Sequence, residues 1–334
     1  MLYVVIAIGF IFAYINGMHD GGTVIATAIS SRLISPKKAV VIAGFANMLG
    51  SLIMGTAVSE TIFSGIIDIR SIGQQDQNAC YAFVLSSFLA TIAWNYFTWR
   101  VKLPSSASHS MIGAMIGCGL IAYGIESVMW RTIIFKVILA MFLSPVLGFL
   151  IGFLLYRIIK RIMLNATTAW TPAVLALHCI SSFFLALSYG GNDSQKVAGL
   201  ICIAVLFGDG RGYHMPITIM ISVGVCLSVG TATGGYNMIK TVGFGITKVN
   251  MHNSCASQVS TVIILIVSNL TGLPISATQV VSASIMGVGT ADTPKAVNWS
   301  VTKRTALAWL ITIPASAATG AAIFKCLSLL VQLI

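Results

Sequence analysis

One stretch of this chain occurs twice. Leu103-Pro104-Ser105-Ser106-Ala107-Ser108-His109 returns as Leu273-Pro274-Ile275-Ser276-Ala277-Thr278-Gln279, and each copy runs into an apolar, glycine-bearing segment, Ile116-Gly117-Cys118-Gly119 and Met286-Gly287-Val288-Gly289. Pro suits a first helical position and a Ser hydroxyl suits an N-cap. Each copy therefore predicts a helix N-terminus, with free N–H donors and a partial positive charge, set inside hydrophobic sequence. Such an end binds an anion without a fixed charge. Two of them predict a two-part fold whose repeated helix ends meet at one site.

The sequence around them is that of a membrane protein. Of 334 residues, 57% are hydrophobic and 8% charged, where soluble domains carry about 25% charged residues. The formal charge of +11 comes from Lys and Arg spread singly between apolar runs, which excludes a basic nucleic-acid face and instead orients the chain in a bilayer. The seven Cys have no paired spacing and read as small apolar residues, not as a disulfide or metal framework. At about 20 residues per crossing, the chain predicts passes at 1–31, 39–60, 78–99, 104–125 and 131–156, and again at 172–208, 215–240, 250–272, 274–290 and 303–333. Residues 1–156 then form one repeat, 157–171 a basic cytoplasmic linker, and 172–334 the second repeat. The segment Met1–Ile15 lacks the basic start of a signal peptide and is read as part of the first pass.

With the N-terminus outside, Arg32, Lys37, Lys38, Arg100, Lys102, Arg157, Lys160, Arg161, Lys240, Lys248, Lys295, Lys303 and Arg304 fall in the cytoplasm, against Arg70, Arg131 and Arg211 outside. That asymmetry predicts a multi-pass protein of the cell membrane in this orientation. An odd number of passes per half inverts the second half relative to the first. The fold class expected is an all-α inverted repeat, each half with a broken first helix and a Pro-Ser-started helix or re-entrant hairpin near the midplane, as in secondary transporters. The breaks are expected at Asn16-Gly17-Met18-His19-Asp20-Gly21-Gly22 and at Gly190-Gly191-Asn192-Asp193.

Those breaks carry the chemistry. An ionised carboxylate at a helix centre costs about 2.5–3.5 kcal/mol, yet Asp20 and Asp193 occupy matching points of the two halves, beside His19 and Asn192. Carboxylate and unwound backbone oxygens suit Na⁺ or a coupled proton at Asp20 and Asp193. The plainer reading is a structural carboxylate held by local amides. Ser105, Ser106, Ser108, Ser276 and Thr278 offer donors to a tetrahedral oxyanion, whereas small polar residues also let membrane helices pack closely. Lys196, three residues after Asp193, either neutralises it or touches the anion. His19 and His109 are proton relays or neutral hydrogen-bonding groups. No resident cofactor is called for, and no Ser/His/Asp or Cys/His spacing suits catalysis.

The motifs Asn16 to Asp20 with Ile25-Ala26-Thr27 and Ser35-Pro36, Trp94-Asn95 with Leu103 to His109, Asn192 to Lys196, Pro274 to Thr278 with Ile285 to Gly289, and Ala308-Trp309 with Thr312-Ile313-Pro314 resemble the inorganic phosphate transporter (PiT) family in its compact prokaryotic form. The resemblance runs almost end to end. It implies phosphate carried with Na⁺ or H⁺. Asp20, Asn192 and Asp193 then stand on the cation side together with Asn16, Thr23 and His19. Ser105, Ser106, Ser108, Ser276, Ala277 and Thr278 stand on the anion side. Two positions depart from the family pattern: Thr23 in place of an amide and Gln279 in place of His, both at the expected site. Sulfate or another tetrahedral oxyanion is therefore the alternative substrate. An intramembrane hydrolase built on His19 and Asp20 is disfavoured because an enzyme gains nothing from a duplicated acid, and a passive anion channel would need no cation. Gly/Ala-rich faces permit a homodimer.

Overall fold

The computed structural model describes residues 1–73, 77–101, 103, 105–165, 167–209, 215–235, 238–248 and 250–332. Lys102, Pro104 and Arg211, all named above, lie outside them. The described residues are helical, with a single isolated bridge between Ile67 and Val128. In chain order the main helices are α1 (Leu2–Asn16), α2 (Gly22–Ser30), α3 (Pro36–Ile53), α4 (Ala57–Gly65), α5 (Gln77–Arg100), α6 (Ala107–Tyr123), α7 (Leu139–Ile162), α8 (Thr171–Asp209), α9 (Ile217–Thr233), α10 (Met251–Thr271), α11 (Ala277–Asp292) and α12 (Trp299–Gln332).

Ten full passes are not what forms. Among the described residues, six helical segments are long and apolar enough to cross a bilayer, and α3 with α4 makes a seventh only as a pair bent by 67°. Helices α6 and α11, of 17 and 16 residues, are about 24–26 Å long and fall short of a 30 Å core. They begin inside the molecule, where Ser106 and Ser276 are fully buried. Pro274 stands two residues ahead of the Ser276 cap and not at the first helical position. There it holds the chain extended before the helix starts.

The expected interruptions also differ. Between α1 and α2, Gly17–Gly21 is a π-helical turn that carries the helix straight on. In the second half α8 runs unbroken through Gly190-Gly191-Asn192-Asp193. The glycines serve close packing instead of unwinding. A Cβ on Gly190 would meet the Asn47 backbone of α3, and one on Gly17 would meet the Leu227 carbonyl of α9. Gly190→Ala is expected to lower stability by about 1–3 kcal/mol through overpacking, whereas Gly44→Ala, whose Cβ meets only Ser228 Cβ at 4.0 Å, gains up to about 1 kcal/mol of helix propensity. Thermal unfolding in detergent would rank the two.

Helix packing comes in matched pairs under exchange of α1/α2 with α8, α3 with α9, α5 with α10, α6 with α11 and α7 with α12. Thus α3 packs on α8 as α9 packs on α1; α7 packs on α11 as α12 packs on α6; α5 packs on α6 as α10 packs on α11. Two large apolar cores result among the described residues. One gathers Phe12, Phe83, Phe88, Met111 and Ile201; the other gathers Val24, Leu185, Tyr189, Leu227 and Val280. The Asn16–Thr23 and Asn192–Lys196 stretches lie along the chain between residues of these two cores, so their polar groups share one apolar-walled layer.

Candidate functional site

Each short helix is capped by its own serine. Ser106 Oγ accepts from His109 N at 3.1 Å, and Ser276 Oγ accepts from Gln279 N at 3.3 Å. A cap of this kind satisfies the third N–H of a helix and leaves the first two without intrahelical partners. Those are the amides of Ala107 and Ser108 on α6, and of Ala277 and Thr278 on α11. The terminal dipoles add positive potential there.

Lys196 of α8 joins the two ends. Its Nζ lies 2.6 Å from Asp193 Oδ1, donates to Ser108 Oγ at 2.5 Å, and donates at 2.8 Å to the carbonyl of Ile275, just before α11. Lys196 is thus the ion-pair partner of Asp193, and its ammonium also lies at both helix ends. Asn16 of α1 donates to Asp193 Oδ2 at 3.1 Å, and Tyr189 Oη donates at 3.4 Å to the Asn16 carbonyl. All five side chains are buried. Phe12 and Met111 wall the space beside Asn16, Ser108, Asp193 and Lys196, which has no room for a water molecule.

The first acid sits apart from this tie. His19 Nδ1 is 2.6 Å from Asp20 Oδ1. Asp20 Oδ2, Thr23 Oγ1 and Asn16 Oδ1 are buried and have no hydrogen-bond partner among the described residues. Asn47 presents a further oxygen, Oδ1, without a partner among the described residues, while its Nδ2 donates to Thr231 Oγ1 at 3.2 Å. Oxygens lacking donors are ligands for a hard cation.

Other residues singled out from the sequence lie elsewhere. Asn192 Nδ2 donates to Ser268 Oγ at 2.7 Å and Asn269 Oδ1 at 3.2 Å, tying α8 to α10. Ser105 Oγ donates to Thr98 Oγ1 at 2.8 Å, toward α5. Thr278 Oγ1, both Gln279 amide atoms and both His109 ring nitrogens are buried without partners among the described residues. Sequence reading missed Asn47 and Tyr189. In the packing exchange Asn47 corresponds to Leu227, so a search for duplicated polar residues passes over it.

A membrane-embedded helical fold with two buried helix ends, an internal lysine and paired acids defines a polytopic ion transporter, not an enzyme. The chain belongs to the phosphate transporter family, whose profile matches residues 16–178 and 172–320. It is 33% identical over 322 residues to a probable low-affinity inorganic phosphate transporter of Bacillus subtilis (strain 168), covering 96% of this chain and 95% of that one. A relative of the same description from Rhizobium meliloti (strain 1021) is 32% identical over 325 residues, again covering 96% and 95%. Among solved structures, the sodium-dependent phosphate transporter superposes with a TM-score of 0.87 at 26% identity, over 98% of this chain and 99% of that one.

Proposed function

We propose that the protein imports inorganic phosphate together with a cation across the cell membrane. The observation that carries this reading is the convergence of the α6 and α11 N-termini on Lys196. Four amides without intrahelical partners, the Ser108 and Thr278 hydroxyls and the ammonium provide the donors that a tetrahedral oxyanion needs. Phosphate is mostly divalent at neutral pH, and each charge moved against 100 mV costs about 2.3 kcal/mol. Uptake into a negative cell therefore requires cotransported positive charge.

Na⁺ at Asp20 is the coupling ion favoured here. Asp20, Thr23, Asn16 and Asn47 each offer an oxygen without a donor among the described residues, and the similar solved protein is described as sodium-dependent. Asp193, held by Lys196 and Asn16, forms the second cation position only if Lys196 turns to the anion. The halves 1–156 and 172–334, inverted about the 157–171 segment with the N-terminus outside, would rock against one another to expose the site alternately.

Equilibrium binding of labelled phosphate to purified protein, in Na⁺ and in choline, tests the site. Ser108→Ala and Thr278→Ala should each weaken binding by about tenfold, one charge-assisted hydrogen bond. Unchanged binding in both would remove the helix ends from the anion site. Excess sulfate as competitor decides between the two oxyanions.

A further inference from the structure

The two seams that flank the site in the two halves are built of different material. On one side, Thr27 and Ser31 continue the helical face that holds Asp20 and Thr23. Helix α8 brings His178, Ser181 and Ser182 to this face, and α10 brings Ser254 and Gln258. Gln258 is the hub: Nε2 donates to Thr27 Oγ1 at 3.1 Å and to Ser182 Oγ at 3.0 Å, and Oε1 accepts from Ser181 Oγ at 2.5 Å. Ser254 Oγ donates to the Thr27 carbonyl at 3.0 Å, and His178 Nε2 lies 3.1 Å from Ser31 Oγ. His178, Gln258, Ser254 and Thr27 are at most 1% exposed.

On the other side the seam is apolar. Phe12 of α1 meets Phe88 of α5 in a tilted ring contact, centroids 5.6 Å apart, packed with Val5, Val84, Leu200 and Ile201. Aligning Asp20 with Asp193 and Leu103 with Leu273 makes Phe88 the counterpart of Gln258, Leu200 that of Thr27, and Val5 that of His178. The repeat thus carries a hydrogen-bonded seam in one place and an aromatic plug in its mirror place. A seam of hydroxyls and an amide exchanges its hydrogen bonds for water at little net cost when it parts. An apolar seam loses its burial.

We propose that the Gln258 cluster is the gate on the Ser31 side: it parts during the cycle, admits water, and gives the departing oxyanion successive hydroxyl and amide donors on its way out. This deepens the transport reading and rests on it. The side is cytoplasmic by the charge rule, since Arg32, Lys37 and Lys38 follow Ser31. A structural staple between helices would need no place between the site and an aqueous face, nor an aromatic counterpart in the other half.

Cys255 reports on the gate. Its Sγ lies 3.7 Å from His178 Nδ1 and the residue is 2% exposed, while Cys202, 3% exposed, sits in the apolar core on the other side. Vesicles holding the unmodified chain would be treated on the Ser31 side with a membrane-impermeant maleimide, and modification of each cysteine followed by peptide mass spectrometry. During uptake, with Na⁺ and phosphate both present, Cys255 should react at least about fivefold faster than with Na⁺ alone, as the open population grows, and Cys202 should stay unreactive. A Cys255 as inert as Cys202 in actively transporting vesicles overturns the gate. Gln258→Leu, which makes the seam apolar like its Phe88 counterpart, should keep Cys255 protected with Na⁺ and phosphate present and abolish uptake while phosphate binding persists; normal uptake in that variant also overturns it. Failure of the transport reading itself would show differently, as no uptake by the unmodified chain.

Discussion

Lys196→Met is expected to unfold the protein more easily and to abolish phosphate uptake, and the double variant Asp193→Asn/Lys196→Met is expected to recover the fold without recovering transport. Lys196 and Asp193 are buried, 2.6 Å apart. Removing one member of such a pair leaves an uncompensated charge in apolar surroundings, a loss of about 3–5 kcal/mol. Removing both charges leaves similar shapes and is close to neutral on that same account, so the double variant should unfold within about 1 kcal/mol of the unmodified protein. Transport follows a different rule, because the ammonium also holds Ser108 and the Ile275 carbonyl at the two helix ends. No neutral side chain replaces that. Thermal unfolding in detergent, paired with uptake, separates the two roles. A Lys196→Met protein that still transports would make the lysine a mere counter-ion.

Asp20→Asn should weaken binding of the coupling cation and raise the Na⁺ concentration that uptake requires. Its carboxylate keeps one oxygen on His19 and leaves the other without a donor among the described residues. Exchange for an amide removes the negative charge and turns half of the group into a donor that repels a cation. A lost charged ligand is worth about 2–3 kcal/mol, so cation affinity should fall about 30- to 150-fold, read as the Na⁺ concentration for half-maximal uptake. Thr23→Ala, losing one neutral hydroxyl, should shift it by about tenfold or less. Equal effects of the two substitutions would argue against Asp20 as the principal ligand.

These residues differ in how far the sequence alone exposed them. The caps Ser106 and Ser276 were legible because capping is local chemistry, written within three residues. Asp20 and Asp193 were legible because a buried carboxylate is costly wherever the chain puts it. The glycines around them misled: Gly190-Gly191 reads equally as a break or as a surface for close approach, and only the position of α3 decides that it is the second. Ser105 was grouped with the anion-side serines by type, but its hydroxyl is spent on Thr98. Lys196 was readable as the partner of Asp193 through its three-residue spacing, whereas its reach to Ser108 and Ile275 depends on how three distant segments pack. Asn47 and Gln258 escaped because duplication was the filter, and their counterparts are Leu227 and Phe88.

The most direct test of the central claim is uptake of radiolabelled phosphate into proteoliposomes, with an inward Na⁺ gradient, an inward H⁺ gradient, or neither. Accumulation above equilibrium that requires the Na⁺ gradient, and that Asp20→Asn shifts to a much higher Na⁺ concentration, is the result predicted here. Phosphate entering equally well with no cation gradient would contradict coupled transport and leave a passive anion path in its place.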